Sequence, residues 1–322
     1  MDKAVRLTSP GPVQGLSLID WPALQPGIGE IRIRHEAIGL DYIDIYFRTG
    51  LYRLPEPCIP GVAGAGVVEA LGSDVMGLHI GQRVVYAGQP GAYAATRILP
   101  AWRAVPLPAS ISAERAGAFV LRALTVHMLV TRVYPVQAGD LLLVHAAAGG
   151  LGGMLTRWAV HQGAHVIGTA GSPAKAELAK GNGAEHVIVG RDADLVDEVM
   201  RLTQGQGVDF TLDGVGGDML VKSIAATRRF GTVASVGQVA GPIPPLRVEE
   251  LGPIRSLSLS RPSVMAYSGE RAGYPIAMRA ALAMLDQGMA GDPGTVYRLD
   301  QVRAAHVDLE AGKIMGAALL RP

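Results

Sequence analysis

The sequence predicts an α/β chain in two parts: a mostly β domain over residues 1 to about 122, and a doubly wound parallel sheet over 123–262. Three observations carry this. The first is length, since 322 residues exceed what one hydrophobic core commonly supports and leave room for two domains with a cleft. The second is composition: 49% hydrophobic, 18% charged and 5% aromatic residues with 42 glycines describe an α/β chain with many tight strand-to-helix turns. The third is a change of rhythm along the chain.

Up to residue 122 the apolar runs are short, alternating or β-rich, and broken by Gly and Pro: KAVRL, EIRIRHEAIG, GAGVVEALG, QRVVYAG and GAYAATRILP. Pro22, Pro26, Pro55, Pro57 and Pro60 punctuate the loops and deny a long helix before Gly61. Beyond residue 123 the pattern becomes apolar strand, Gly turn, amphipathic helix, repeated through LLLVHA, AHVIGTA, HVIVG, VDFTLDGVG, GTVASVG and LSLSR. That alternation implies parallel strands with helices on both faces. A helical stretch at YPIAMRAALAMLDQG, the segment YRLDQVRAAHVDLEAG and a final strand GAALLRP follow, and residues 263–322 are expected to rejoin the first domain. Met278, Met284 and Met289 read as core filler.

A net charge of +1 sets up no field for gathering nucleic acid or anionic membrane. The single cysteine, Cys58, excludes an internal disulfide and cannot build a thiolate zinc site alone, which is compatible with a cytoplasmic protein. The N-terminal MDKAVRLTSPG lacks the apolar core of a signal peptide, and the apolar runs read as too short and too Gly-interrupted to span a bilayer.

The strongest local signal is LLLVHAAAGGLGG at 141–153, where an apolar strand runs into Gly149, Gly150, Gly152 and Gly153 and then into a helix. A pyrophosphate can sit on the amides of a helix N-terminus only where no side chain blocks its approach. Ala146 to Ala148 replace the first glycine of the usual dinucleotide fingerprint, so a simple tight turn stays open as an alternative. About twenty residues on, where NAD-binding folds place Asp or Glu against the ribose, the chain reads GTAGSPAKAE. Ser172 and Lys175 there suit a 2′-phosphate, hence NADPH; the alternative for Lys175 is a solvated lysine at a helix start.

These segments, together with AIGLDYIDIYFRTGLY (37–52), PGVAGAGVVEALG (60–72), GQRVVYA (81–87), LRALTVHMLV (121–130), HAAAGGLG (145–152), LDGVG (212–216), ASVGQVAG (234–241) and SRPSVMAY (260–267), resemble the zinc-free medium-chain dehydrogenases/reductases of the zeta-crystallin-like quinone oxidoreductase type over nearly the whole chain. The resemblance implies a GroES-like catalytic domain, a Rossmann nucleotide domain, and hydride transfer from NADPH to a quinone by a homodimer. It also implies an acceptor site lined by Asp41, Tyr46, Tyr52, Arg122, Thr125 and His127, with Thr125 near the nicotinamide, and backbone room beside the cofactor at Gly214, Gly216 and Gly237. Read from residue types alone, Tyr46 and Tyr52 also suit a core or rim, Asp44 and Arg48 an i,i+4 ion pair, Thr125 an ordinary helix position and His127 a packed helix histidine.

Where the zinc enzymes of the superfamily carry Gly-His-Glu, this chain has Gly61-Val62-Ala63. A catalytic zinc needs about three protein ligands, and the eight histidines show no ligand-like spacing beyond His161 and His165, so no metal is expected. Three departures from the family pattern stand out: Asp41 for Asn, Arg122 for Lys, and Gly190 and Gly312 for a Tyr and an Arg that help hold the phosphate, with Arg191 or Lys313 one position on as substitutes. An ionised carboxylate cannot donate to a quinone oxygen as an amide can. Two rival functions follow: an NADPH-dependent alkenal or enone reductase, and a non-enzymatic nucleotide- or RNA-binding protein. Near-neutral charge and few aromatics argue against RNA.

Overall fold

The computed structural model describes residues 2–190, 193–253 and 255–322. It divides into two compact units, the first running up to Leu124 and resuming at Val264–Pro322, the second comprising Thr125–Ser263.

The first unit begins with β1 (Asp2–Leu7) and β2 (Leu16–Trp21), an antiparallel pair, then β3 (Glu30–Leu40), α1 (Tyr42–Thr49), β4 (Ala63–Leu71), β5 (Arg83–Ala87), β6 (Thr96–Pro100), β7 (Val105–Pro106) and α2 (Ala113–Met128), whose residues from Thr125 on belong to the second unit. In β3 every second residue, Ile31, Ile33, His35 and Ala37, is buried while Arg32 and Arg34 point out and both bind Glu69 on β4, at 3.0 and 2.8 Å. That period of two is the signature of a half-buried strand.

The second unit holds β8 (Leu141–Val144), α3 (Gly150–His161), β9 (His165–Ala170), α4 (Pro173–Gly181), β10 (His186–Val189), α5 (Leu195–Leu202), β11 (Val208–Asp213), α6 (Met219–Ala226), β12 (Thr227–Ser235) and β13 (Ser258–Ser260). Its sheet has the order β10-β9-β8-β11-β12-β13, and every pairing is parallel. The central strands read LLLV and VDFTLD without alternation because helices bury both faces.

The chain then returns to the first unit through α7 (Val264–Gly269), α8 (Tyr274–Asp286), β14 (Pro293–Arg298), α9 (Val302–Glu310) and β15 (Ala317–Arg321). β15 pairs with β3, completing a seven-stranded sheet ordered β14-β15-β3-β4-β5-β7, with β6 also on β3.

One expectation is corrected here. The apolar runs are not all too short to span a bilayer: α2 continues through a π-helical turn at Leu129–Val133 into one helix of 21 residues, Ala113–Val133, long and apolar enough by length and composition. Its glycine and charged residues are few, and 67% of its apolar window is buried within the protein, as in a core helix.

Candidate active site

The winding of the parallel sheet reverses between β8 and β11, so the carboxyl ends of those strands mark the switch point at which such sheets bind ligands. β8 leads through His145–Gly149 into α3, with Gly149 as N-cap in extended backbone and Gly150 as the first helical residue. The first amides of the helix have no partner within it and face an anion readily. A Cβ on Gly152 would stand 2.5 Å from the Ala146 carbonyl oxygen, and one on Gly153 2.6 Å from Asn182 Nδ2. These two glycines therefore let α3 close onto the turn. Ala146 has φ +51°, the left-handed region that an alanine side chain resists, at the start of the turn where the fingerprint glycine is missing.

β9 ends in Ala170, and no carboxylate follows before α4. Ser172 caps α4 by accepting the Lys175 N–H at 3.4 Å, which leaves its hydroxyl proton to give. Lys175 is exposed in the first turn of the same helix. Beyond β10, Gly190 has φ +105° and faces open space. Arg191 lies outside the described residues, and Lys313 is engaged with Asp308 at 3.4 Å. Gly312, with φ +65°, also faces open space.

The three glycines after β11 and β12 differ among themselves. A Cβ on Gly216 (φ +70°) would meet Gln238 Cα at 2.6 Å, and one on Gly237 the Gly214 carbonyl oxygen at 2.7 Å, so both are needed for the two loops to pack together. Gly214 alone would meet only ordinary contact, 3.7 Å to Val236. The loop is held by residues that sequence reasoning passed over. Asp213 Oδ1 accepts from the amides of Val215 and Gly216 at 2.8 and 2.9 Å. Arg261 donates to Ser235 Oγ at 2.8 Å, Gln238 Oε1 at 3.2 Å and the Gly237 carbonyl at 3.3 Å.

In the first unit, Asp41 opens α1 in extended backbone, and its N–H donates to Asp44 Oδ2 at 3.0 Å. Arg122, from α2, reaches Asp41 Oδ1 at 3.1 Å, the Leu40 carbonyl at 3.0 Å and the Ala118 carbonyl at 2.8 Å. Both partners are buried, at 7% and 11% side-chain exposure. Burial pushes the Asp41 carboxyl up, and the Arg122 guanidinium opposes that shift. Asp41 is thus a buried carboxyl paired with the Arg122 guanidinium.

Tyr46 packs edge-on against Tyr42 and Tyr52, with ring centroids 5.6 and 5.4 Å apart, so the aromatic residues of α1 and the turn after it form one cluster. The proposed Asp44–Arg48 pairing does not form. Arg48 instead donates to Glu310 Oε1 at 2.5 Å and the Gly11 carbonyl at 2.7 Å, while Asp44 Oδ2 takes the Tyr93 hydroxyl at 3.1 Å and Tyr93 in turn contacts His306 Nε2 at 3.1 Å. Residues far apart in sequence compete better for those groups than their helix neighbours do.

Thr125 follows Arg122 by three residues along α2 and opens the second unit. His127 lies 6.1 Å from the Trp158 ring, and burial, with Arg132 nearby, lowers its pKa, keeping it a neutral packed side chain. Val62 and Ala63 are apolar and buried, the half-buried Cys58 thiol is pushed up by burial and Glu56, and His165 pairs with Glu185. Among the described residues no three His, Cys, Asp or Glu side chains gather as a metal site.

Residues 27–109 match the alcohol dehydrogenase GroES-like domain family and residues 150–287 the zinc-binding dehydrogenase family. The chain is 33% identical to a quinone oxidoreductase of Pseudomonas aeruginosa over the full length of both. It is 32% identical to a 2-haloacrylate reductase of Burkholderia, covering 92% of each. The crystal structure of Escherichia coli quinone oxidoreductase complexed with NADPH superposes with a TM-score of 0.95 at 34% identity, covering 99% of this chain and 100% of that one. With a GroES-like unit, a six-stranded parallel Rossmann sheet and full-length relatives at this identity, the chain belongs to the zeta-crystallin-like quinone oxidoreductase family of the medium-chain dehydrogenase/reductase superfamily.

Proposed function

We propose that this protein is an NADPH-dependent quinone oxidoreductase that transfers hydride directly to its acceptor without a metal. The observation that carries the reading is the end of β9: no carboxylate stands there to bind a free ribose hydroxyl or repel a phosphate, while Ser172 and Lys175 offer a hydroxyl donor and an exposed cation. The glycine turn fits the same cofactor, because the missing side chains at Gly152 and Gly153 form a cradle that any Cβ would fill. The NADPH complex of the Escherichia coli relative supports this choice.

Bound NADPH supplies the hydride, at the C4 position of its nicotinamide. The amides of Gly150 and the following residues would hold the pyrophosphate, and Lys175 with Ser172 would hold the 2′-phosphate. The family resemblance assigns Thr125 to the nicotinamide, and Tyr46 and Tyr52 to the acceptor. Negative charge grows on an acceptor oxygen as hydride arrives, and an unpaired carboxylate nearby would oppose it. Arg122 cancels that charge on Asp41. The absence of metal rests on Val62 and Ala63, which have no donor atoms to offer in place of the zinc enzymes' His and Glu.

A second reading, reduction of an activated carbon–carbon double bond, is favoured by one observation: Asp41, where the family pattern has an amide, offers a quinone oxygen no side-chain N–H, and Arg122 is itself engaged with it. The 2-haloacrylate reductase relative points the same way. We place the enzyme in the cytoplasm, on its single cysteine, and as a homodimer formed by pairing of β13. That strand is the last of its sheet, and a two-fold partner removes an unpaired edge. Light scattering checks the assembly, and a monomer at micromolar concentration would contradict it. An acceptor panel of quinones and α,β-unsaturated carbonyls, followed by NADPH absorbance with and without chelator, tests the activity. Quinone turnover that survives the chelator is expected.

A further inference from the structure

Between the two cofactor-facing turns of the second unit lies a buried chain of hydrogen bonds that runs across the sheet's switch point. Asp213, at the end of β11, is fully buried, as is Ser223 on α6, and His145, just after β8, is 3% exposed. Polar groups so deeply buried are costly unless every one finds a partner. Here they do. His145 Nε2 lies 2.9 Å from Ser223 Oγ, and its Nδ1 lies 3.3 Å from Thr169 Oγ1. Ser223 Oγ reaches Asp213 Oδ2 at 3.3 Å and the Met219 carbonyl at 2.9 Å. Thr169 Oγ1 accepts the Ala146 N–H at 3.2 Å.

One assignment of protons satisfies the whole chain. Ala146 N–H donates to Thr169, the Thr169 hydroxyl to His145 Nδ1, His145 Nε2–H to Ser223, and the Ser223 hydroxyl to Asp213 in a bond shared with the Met219 carbonyl, while the other Asp213 oxygen takes the amides of Val215 and Gly216. It requires neutral His145 with its proton on Nε2.

The two ends of the chain are residues in the left-handed region: Ala146 at φ +51° in the β8–α3 turn and Gly216 at φ +70° in the loop after β11. For an alanine that conformation persists only where its surroundings impose it. Thr169 binds its amide, and the chain transmits that hold to the opposite loop.

We propose that Thr169, His145, Ser223 and Asp213 are positioning residues that lock the two turns at the spacing the dinucleotide requires. They act through backbone amides and touch no reacting atom. The inference rests on the reading of this unit as the NADPH site.

The test is equilibrium titration of NADPH, followed by nicotinamide fluorescence in the absence of acceptor, on wild type, Thr169→Val, Thr169→Ser, Ser223→Ala and the Thr169→Val/Ser223→Ala double variant. Cutting the chain at either hydroxyl should raise Kd for NADPH about tenfold, the loss expected for one hydrogen bond with its buried partner left unsatisfied. The double variant should lose little more, because both changes break the same chain. Thr169→Ser keeps the hydroxyl and should bind like wild type, and in turnover the KM for the acceptor should stay unchanged while that for NADPH rises. Should Ser223→Ala not fold, Thr169→Val at the half-buried end reads the same chain. Variants that melt earlier yet bind NADPH as wild type does would overturn the inference, leaving the chain a packing feature. A wild type that binds no NADPH in this titration would overturn the functional reading, and the inference with it.

Discussion

The two units solve the problem of buried charge differently. In the second, the Asp213 carboxylate sits among donors that satisfy both of its oxygens, and each group from Ala146 to Gly216 has a partner. In the first, Asp41, Asp44, Tyr93 and His306 also form a linked set, but Asp44 Oδ1, His306 Nδ1 and the nearby Arg48 Nε are buried without a hydrogen-bond partner among the described residues. The first unit also packs two carboxylates beside one guanidinium. A satisfied network fixes geometry at little cost, while an incompletely satisfied one stores electrostatic tension that changes of charge can release. The second unit is therefore expected to tolerate pH and resist repacking, and the first to respond to both.

The largest expected effect breaks the Asp41–Arg122 pair of the first unit. Arg122→Met leaves the buried Asp41 charge unpaired and should cost about 3–5 kcal/mol of stability in denaturant unfolding. Adding Asp41→Asn should recover most of that loss, and a double variant no more stable than the single one would show that Arg122 acts by packing rather than by charge.

The next effect separates the units by pH. The Asp44 carboxyl is pushed up to about 8 by burial and by Asp41, against the Asp41 amide, the Tyr93 hydroxyl and Arg122, which lower it. Its ordinary value is 3.8, so the folded protein holds this proton more tightly than the unfolded chain. The stabilising contribution is full at low pH and is lost as pH rises from about 4 through about 8. His306, held down to about 3 by burial and Arg48, works in the opposite sense: its contribution is present above its ordinary 6.5 and is lost as pH falls toward 3. Asp44→Asn should flatten the alkaline part of the stability profile, measured by melting temperature against pH, and leave the acid part in place. A profile with an unchanged alkaline slope would place the titrating group elsewhere.

What the sequence shows of these networks depends on range. The parallel strands and the glycine turn are legible because each is a local pattern: LLLV before AAAGGLGG, and VDFTLD before GVGG, announce strand and turn within a dozen residues. The dinucleotide fingerprint reads imperfectly at Ala146 because the compensating partner, Thr169, lies on the next strand. Asp44 looks like a helix partner for Arg48 until Tyr93 and Glu310, brought in by the β5–β6 loop and the end of α9, claim the two side chains. The 113–133 helix escapes notice as a long apolar span because Glu114, Arg115, Gly117 and Arg122 interrupt its apolar run without interrupting its backbone. Asp41 beside Arg122 reads as two separate departures from a family pattern, whereas the structure makes them one paired exchange.

A smaller effect sharpens the cofactor side. Lys175→Ala removes a charge-assisted contact to a 2′-phosphate and should raise the KM for NADPH about tenfold while leaving that for NADH nearly unchanged. Salt added to the wild type should weaken the preference in the same direction. Loss of both cofactors in parallel would make Lys175 an ordinary solvated helix residue.

The smallest effect is on turnover. If the proposed acceptor site holds, Asp41→Asn leaves the Arg122 charge uncompensated there and should raise kcat with simple quinones by about threefold, since the growing negative charge then meets a net cation. A rate and pH profile identical to wild type would place Asp41 away from the acceptor.

The central claim, that the second unit presents NADPH to a quinone acceptor, is tested most directly by initial rates with NADPH and with NADH, each against a simple quinone and an α,β-unsaturated ketone. The account predicts quinone turnover with NADPH favoured in kcat/KM by about tenfold, the contribution expected of the Ser172 and Lys175 contacts with Gly190 and Gly312 adding no side chain. Equal use of NADH and NADPH would contradict the cofactor assignment, and turnover of the ketone with none of the quinone would contradict the acceptor.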